Sequence, residues 1–72
     1  MTGNEFLRRI NRLGRKRGIV VRFDQRHGKG SYGTLHFGTH KTTLKDLRKE
    51  VGTELLHEMM DQLGLSRRDL EE

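Results

Sequence analysis

The segment that decides the fold is residues 33–44, which read Gly-Thr-Leu-His-Phe-Gly-Thr-His-Lys-Thr-Thr-Leu. Apolar and polar side chains alternate at its start, with Leu35 and Phe37 on one face and polar residues on the other. This period of two predicts a strand that is buried on one face. Residues 38–39 then form a tight turn, so residues 40–44 are predicted to return as an antiparallel strand.

A further strand and a helix precede this hairpin. Residues 19–24 are β-branched and aromatic and alternate in the same way, which predicts a half-buried strand. Residues 3–13 carry apolar side chains at helical spacing. Thr2 and Glu5 have capping-box spacing at the start of that helix, and Gly14 stands where its C-cap is expected.

A second helix and a terminal turn follow the hairpin. Residues 45–52 are predicted to be a connector with at most one helical turn, because a glycine interrupts their helical spacing. Thr53 is predicted to cap a helix that ends at Gly64, and Ser66 with Asp69 has capping-box spacing for the last turn. The apolar stripe of this helix consists of Leu55, Leu56, Met59, Met60 and Leu63.

These elements predict the order α-β-β-β-α in a single domain over residues 1–72. Three successive strands imply an antiparallel meander. Two amphipathic helices on one face of that sheet complete a two-layer α+β domain. The same order is found in double-stranded RNA-binding domains, although order alone says little about function.

Composition excludes several classes of protein. The 72 residues are 31% hydrophobic and 35% charged, which leaves room for one small core. The chain has no cysteine, so disulfides and thiolate metal sites are excluded. No stretch is apolar enough for a membrane span or a signal peptide, and we therefore expect a cytoplasmic protein.

The charge is distributed unevenly along the chain. Residues 1–41 contain ten Lys and Arg against two Asp and Glu, a net +8, whereas residues 42–72 contain five against eight, a net −3. A basic first half favours a polyanionic partner, nucleic acid first and an acidic protein second. The cations expected to contact RNA are Arg8, Arg9, Arg12, Arg15, Lys16 and Arg17 in and after the first helix, and Arg22, Arg26, Lys29 and Lys41 elsewhere.

A glycine-rich segment, residues 27–34, reads His-Gly-Lys-Gly-Ser-Tyr-Gly-Thr and lies between two predicted strands. Its backbone amides, the Lys29 ammonium and the Ser31 hydroxyl are suited to binding phosphate oxygens. The spacing is not that of a P-loop, and no helix follows. A plain connection between strands is the alternative. The phosphate-binding candidates in this segment are His27, Gly28, Lys29, Gly30 and Ser31.

The Gly-Lys-Gly-Ser of residues 28–31, followed after one residue by Gly-Thr, resembles the signature of the HicA family of toxin ribonucleases. The resemblance implies a fold like that of double-stranded RNA-binding domains and a cofactor-free endoribonuclease that cleaves mRNA. It also implies a type II toxin–antitoxin system, with a HicB-like antitoxin covering residues 28–33 and the basic face. Supporting similarity lies in Glu5-Phe6-Leu7, Lys41-Thr42-Thr43-Leu44, Leu55-Leu56, Gln62-Leu63-Gly64-Leu65 and residues 66–70.

The resemblance places the family's catalytic histidine at position 32, where this chain has Tyr32. A metal-free ribonuclease needs a base for the ribose 2′-hydroxyl and an acid for the leaving 5′-oxygen, and histidine suits both because it titrates near neutrality. Tyrosine ordinarily titrates near pH 10 and is a poor base. Either Tyr32 inactivates the chain, or the chain uses another residue. The four histidines are His27, which flanks the segment, His36, which points outward from its strand, His40 and His57, and each is expected to be exposed.

Two other functions remain open from the sequence. A non-catalytic double-stranded RNA-binding module would share the fold and bind RNA in a salt-sensitive way. A basic protein-interaction domain would bind an acidic protein and have no affinity for RNA. The glycine-rich segment favours the ribonuclease, because a pure binding module has no need of it.

Replacing Tyr32 with histidine should restore ribonuclease activity. Loss of a positioned base costs on the order of 10²–10⁴ in rate. The unmodified chain should therefore cleave RNA weakly or not at all while still binding it, and Tyr32→His should cleave RNA and arrest growth. A Tyr32→His protein that is folded but inert would show that position 32 is wrongly assigned.

Overall fold

A computed structural model describes residues 1–25 and 33–71 of the chain. The described residues have the predicted α-β-β-β-α order, followed by one short helix. The elements are helix α1 (Gly3–Arg17), strands β1 (Val21–Gln25), β2 (Gly33–Phe37) and β3 (His40–Leu44), helix α2 (Thr53–Gln62) and helix α3 (Arg67–Leu70).

The three strands form an antiparallel sheet in the order β1-β2-β3. Phe23 pairs with Leu35, and Leu35 pairs in turn with Thr42. Leu35 and Phe37 are buried on one face, as predicted, and α1 and α2 pack on that face. The bounds of both hairpin strands and the turn between them are confirmed.

A single apolar core fills the space between the sheet and the helices. The core consists of Leu, Ile, Val, Phe and Met side chains, and full burial of one such side chain contributes about 1.5–3 kcal/mol. The core is therefore the main source of stability. Thr42 is buried within it, and its hydroxyl donates to Gln62 Oε1 at 2.5 Å. The core side chains are Phe6, Ile10, Leu13, Leu35, Phe37, Leu44, Val51, Met59, Met60, Leu63, Leu65 and Leu70.

Helix α1 is one turn longer than predicted. Gly14, the expected C-cap, is buried inside the helix, where a Cβ atom would lie 2.4 Å from Val21 Cγ2. Gly14 is therefore needed for the close approach of β1 and not for a cap. The cap is Gly18, which has the left-handed φ of 67° and donates its N–H to the Gly14 carbonyl. Residues 15–17, predicted to be a turn, complete the helix.

Two element starts also differ from the prediction. Strand β1 begins at Val21 and not at residue 19, because the N–H of Ile19 is still hydrogen-bonded to the helix at Gly14. Helix α2 begins at Thr53, but its cap is Gly52, which supplies a carbonyl to the N–H of Leu56 and no side-chain hydrogen bond.

The connector over residues 45–52 contains no helix in the structure. It instead runs beside the N-terminus, where the N–H of Asn4 donates to the Leu47 carbonyl at 2.8 Å and the N–H of Val51 donates to the Met1 carbonyl at 2.8 Å. The N–H of Gly3 likewise donates to the Lys49 carbonyl at 3.1 Å, so the connector satisfies two donors in the first turn of α1 that no helix carbonyl can reach. The connector therefore forms a turn, in which the N–H of Lys49 donates to the Asp46 carbonyl, and is held against the start of the chain.

The C-terminal turn is held by the predicted capping pair. The backbone N–H of Ser66 donates to Asp69 Oδ2 at 2.7 Å, and Leu70 packs back into the core. Asp69 Oδ1 also accepts a hydrogen bond from Arg17 Nη2 at 2.6 Å, which joins α3 to the end of α1. The backbone hydrogen bond from Ser66, followed by the hydrogen bond from Arg17, lowers the pKa of Asp69 below that of a free aspartate.

Asp69→Asn should destabilise the fold at neutral pH by about 0.5–2 kcal/mol, the usual cost of losing a cap. The folded pKa of Asp69 is lowered, so its contribution is complete above the unfolded pKa of about 3.9 and is lost as the pH falls through the folded value. Urea unfolding should show the difference from the unmodified chain at pH 7 and a smaller difference at pH 3. Glu58→Gln, on the exposed side of α2, is the control, and equal differences at both pH values would contradict this account.

Gly33 is the first residue of β2 and is covered by an aromatic ring from β1. A Cβ atom at Gly33 would lie 2.2 Å from Phe23 Cζ and 3.0 Å from the Asp24 carbonyl oxygen. Phe23 is the diagonal neighbour of Gly33 across the two strands, since its direct partner is Leu35. The last glycine of the glycine-rich segment is therefore required by packing.

Gly33→Ala should cost about 1–3 kcal/mol, because the methyl group forces the Phe23 ring out of place. Thermal unfolding followed by circular dichroism measures the loss. In a Phe23→Leu background the same substitution should cost less, since the obstructing ring is gone. An equal cost in both backgrounds would show that the packing of Phe23 is not the cause.

Candidate nucleic-acid interface

Exposed arginines follow one side of α1. Arg8, Arg12 and Arg15 are spaced i, i+4 and i+7, so they lie along one side of the helix. This side is opposite to Phe6 and Ile10, which are completely buried. The three arginines, referred to as the arginine ridge, therefore face away from the sheet.

A groove of about 490 Å³ runs beside the arginine ridge. Four guanidinium groups and two carboxylates line it, so its formal charge is +2. Guanidinium groups bind phosphate through two parallel hydrogen bonds, and an open groove of this kind accommodates an extended polyanion. The lining residues are Glu5, Arg8, Arg9, Asn11, Arg12, Arg15, Leu70 and Glu71.

The last turn of α1 contributes less to this surface than expected. Arg17 was predicted to contact RNA, but its guanidinium group is held by Asp69 in the ion pair that anchors α3. Lys16 is exposed at the end of the helix. Arg17 therefore has a structural role in the fold, while Lys16 extends the positive charge beyond the arginine ridge.

The face of the sheet turned away from the helices, the open face, is polar. Arg22, His36 and Lys41 are direct neighbours across the three strands. Asp24 Oδ2 lies 3.2 Å from Arg22 Nη2 and 3.2 Å from His36 Nε2. The next row across the open face consists of Asp24, Thr34 and Thr43.

The structure divides the predicted basic surface into two parts. Arg22 and Lys41 were expected to continue the positive field of α1, but they project from the open face. The arginine ridge lies on the opposite side of the two-layer domain, because α1 packs on the core face of the sheet. The two cationic surfaces therefore present separate contacts to any large ligand.

The predicted phosphate-binding segment and the predicted catalytic position lie outside the described residues. The strand ends on either side of them are described, and Gln25 of β1 pairs with Gly33 of β2. The residues concerned are Arg26, His27, Gly28, Lys29, Gly30, Ser31 and Tyr32.

The described histidines differ in their surroundings. His40 packs beside Gly64, where a Cβ atom would lie 3.0 Å from His40 Nε2. His57 was expected to be exposed but is half-buried, and its Nε2 atom is buried with no hydrogen-bond partner among the described residues. His36 was also expected to be exposed but is half-buried on the open face, where it lies beside Asp24, a residue that the sequence did not single out.

Over residues 1–25 and 33–71, no group of three His, Cys, Asp or Glu side chains is arranged to hold a metal ion. In the same part of the chain, no helix combines the length and the apolar character needed to cross a membrane.

Comparison of the chain with family models, with curated proteins and with solved structures finds no match. The similarity to HicA toxins thus depends on the residues quoted above. The α-β-β-β-α arrangement is compatible with many activities, so it does not by itself identify the function. The two cationic surfaces are the features of the described residues that bear on function.

Proposed function

We propose that this chain is an RNA-binding toxin of the HicA type, an endoribonuclease that acts on mRNA in the cytoplasm. The observation that carries the proposal is the arginine ridge of α1 with the groove beside it. The glycine-rich segment and the order of the elements agree with the same function.

The arginine ridge is suited to a phosphate backbone. Successive guanidinium groups along a helix are spaced by about one turn, roughly 5–6 Å, so that each meets a different phosphate. Lys16 adds a further positive charge at the end of the same helix. Binding of this kind releases counterions and therefore weakens steeply as the salt concentration rises.

Base stacking contributes little to this mode of binding. The chain has no tryptophan. Of its three phenylalanines, Phe6 and Phe37 are buried in the core and Phe23 is half-buried against it. In the described part of the chain, no phenylalanine ring is therefore fully exposed for a base to stack on. Recognition through the backbone and the shape of the RNA follows, as in double-stranded RNA-binding domains.

The proposed inhibitor is an acidic antitoxin protein. The positive charge of residues 1–41 attracts such a partner, and covering the groove would exclude RNA at the same time. Tyr32 at the family's catalytic position makes cleavage by the unmodified chain weak, so binding is the more direct test of the proposal.

Arg8→Gln, Arg12→Gln and Arg15→Gln should each weaken RNA binding and flatten its dependence on salt. Fluorescence anisotropy with a labelled RNA duplex of about 16 base pairs measures the affinity across a salt series. Each phosphate contact removed should lower the slope of log affinity against log salt by about one. A labelled single strand of the same sequence shows which form of RNA is preferred.

Arg48→Gln is the matched control, because it removes the same charge from the exposed connector after β3. It should leave the salt slope unchanged. Equal effects of Arg48→Gln and the ridge substitutions would mean that only net charge matters. If the unmodified chain binds an acidic protein but no RNA, the proposed function is wrong.

A further inference from the structure

His36 and Asp24 form a carboxylate–imidazole pair on the open face. Asp24 Oδ2 lies 3.2 Å from His36 Nε2, and the two side chains are 54% and 28% exposed. A carboxylate on one ring nitrogen fixes the tautomer of histidine and leaves the other nitrogen as a base. The geometry therefore presents His36 Nδ1 as a proton acceptor.

Two cations stand on either side of His36. Arg22 on β1 and Lys41 on β3 are its direct partners across the sheet. Direct neighbours of this kind have Cβ atoms about 4.5–5.5 Å apart, within reach of one phosphate group. A base flanked by two cations is the arrangement that a phosphodiester requires, since negative charge develops on phosphorus oxygens as the base removes a proton.

The scaffold under this group is rigid. His36 belongs to β2, which is paired on both sides, and its neighbours Leu35 and Phe37 are anchored in the core. Catalytic groups on strands are held more accurately than those on loops. The pair is thus positioned by the sheet itself.

The other described histidines lack these features. His40 packs beside Gly64, and the Nε2 atom of His57 is buried without a hydrogen-bond partner among the described residues. In residues 1–25 and 33–71, the histidine that combines a carboxylate with flanking cations is His36. It is also four residues along the chain from Tyr32, the position that the resemblance assigns to the base.

We propose that His36 is the general base for RNA cleavage in this chain, with Asp24 as its positioning residue and Arg22 and Lys41 binding the scissile phosphate. The proposal rests on the proposed RNA-directed function and adds a catalytic centre to it. It predicts that the chain still cleaves RNA weakly although position 32 is a tyrosine.

The reaction is an internal transesterification. His36 Nδ1 takes the proton of the ribose 2′-hydroxyl while the 2′-oxygen forms a bond to phosphorus and the bond between phosphorus and the 5′-oxygen breaks. The 5′-oxygen takes a proton from water, and the imidazolium returns its proton to the resulting hydroxide. The products are a 2′,3′-cyclic phosphate and a 5′-hydroxyl end, and no cofactor is consumed.

The test is the cleavage of a labelled single-stranded RNA by the purified full-length chain, with kcat and KM measured separately. His36→Ala should lower kcat by about 10²–10⁴-fold with little change in KM. Exogenous imidazole should restore part of the rate, because it supplies the missing base. Asp24→Asn should lower kcat by at least about tenfold, and Asp24→Glu should retain more activity than Asp24→Asn.

His40→Gln is the matched control and should cleave RNA like the unmodified chain. Thermal unfolding and RNA anisotropy of each variant establish that it is folded and binds. The proposal is overturned if the unmodified chain binds RNA but yields no cyclic-phosphate product, or if a folded His36→Ala protein keeps its kcat. Either result leaves RNA binding intact, whereas loss of RNA binding by the unmodified chain would refute the proposed function itself.

Discussion

Strand β2 is paired with β1 on one side and with β3 on the other, and the alternation of its side chains determines which of them face the core. Leu35 and Phe37 point to the core, so His36, which lies between them, has to point to the open face. A shift of one residue in register would exchange the two faces and bury the imidazole. Burial of the two apolar side chains is thus the constraint that keeps His36 on the open face beside Asp24.

The parts of the fold that local patterns determine were predictable. The two-residue turn sets the register of β2 and β3, and the alternation of Leu35 and Phe37 identifies the buried face. The end of α1 was not predictable, because Gly14 serves a packing contact with Val21 of β1 that depends on how the strand folds back on the helix. A glycine required by packing and one required by a left-handed cap look alike in a sequence.

At the candidate site, too, features set by spacing along one helix were predictable, and contacts between different elements were not. Arg8 and Arg12 were predicted from helical spacing to lie on the polar side of α1, whereas Arg15 was expected in the turn after the helix and joins the ridge because α1 is longer. The pairing of His36 with Asp24 depends on the register of β1 against β2, and these strands are joined by a long segment that does not specify it. The ion pair of Arg17 with Asp69 spans 52 residues and was equally out of reach. Long-range pairs of polar residues therefore account for most of what the sequence did not reveal.

If the chain is the RNA-directed toxin proposed here, the separation of the two cationic surfaces determines how a partner would inhibit it. A partner that covers the groove of α1 competes with the phosphate backbone without contacting the open face, which lies on the other side of the domain. Such a partner would act on substrate affinity, whereas a partner on the open face would act on the chemical step. Because the arginine ridge and its groove are more basic than the open face, where Asp24 offsets part of the charge of Arg22 and Lys41, an acidic partner is drawn first to α1. Inhibition by exclusion of RNA is therefore the outcome that the charge distribution favours.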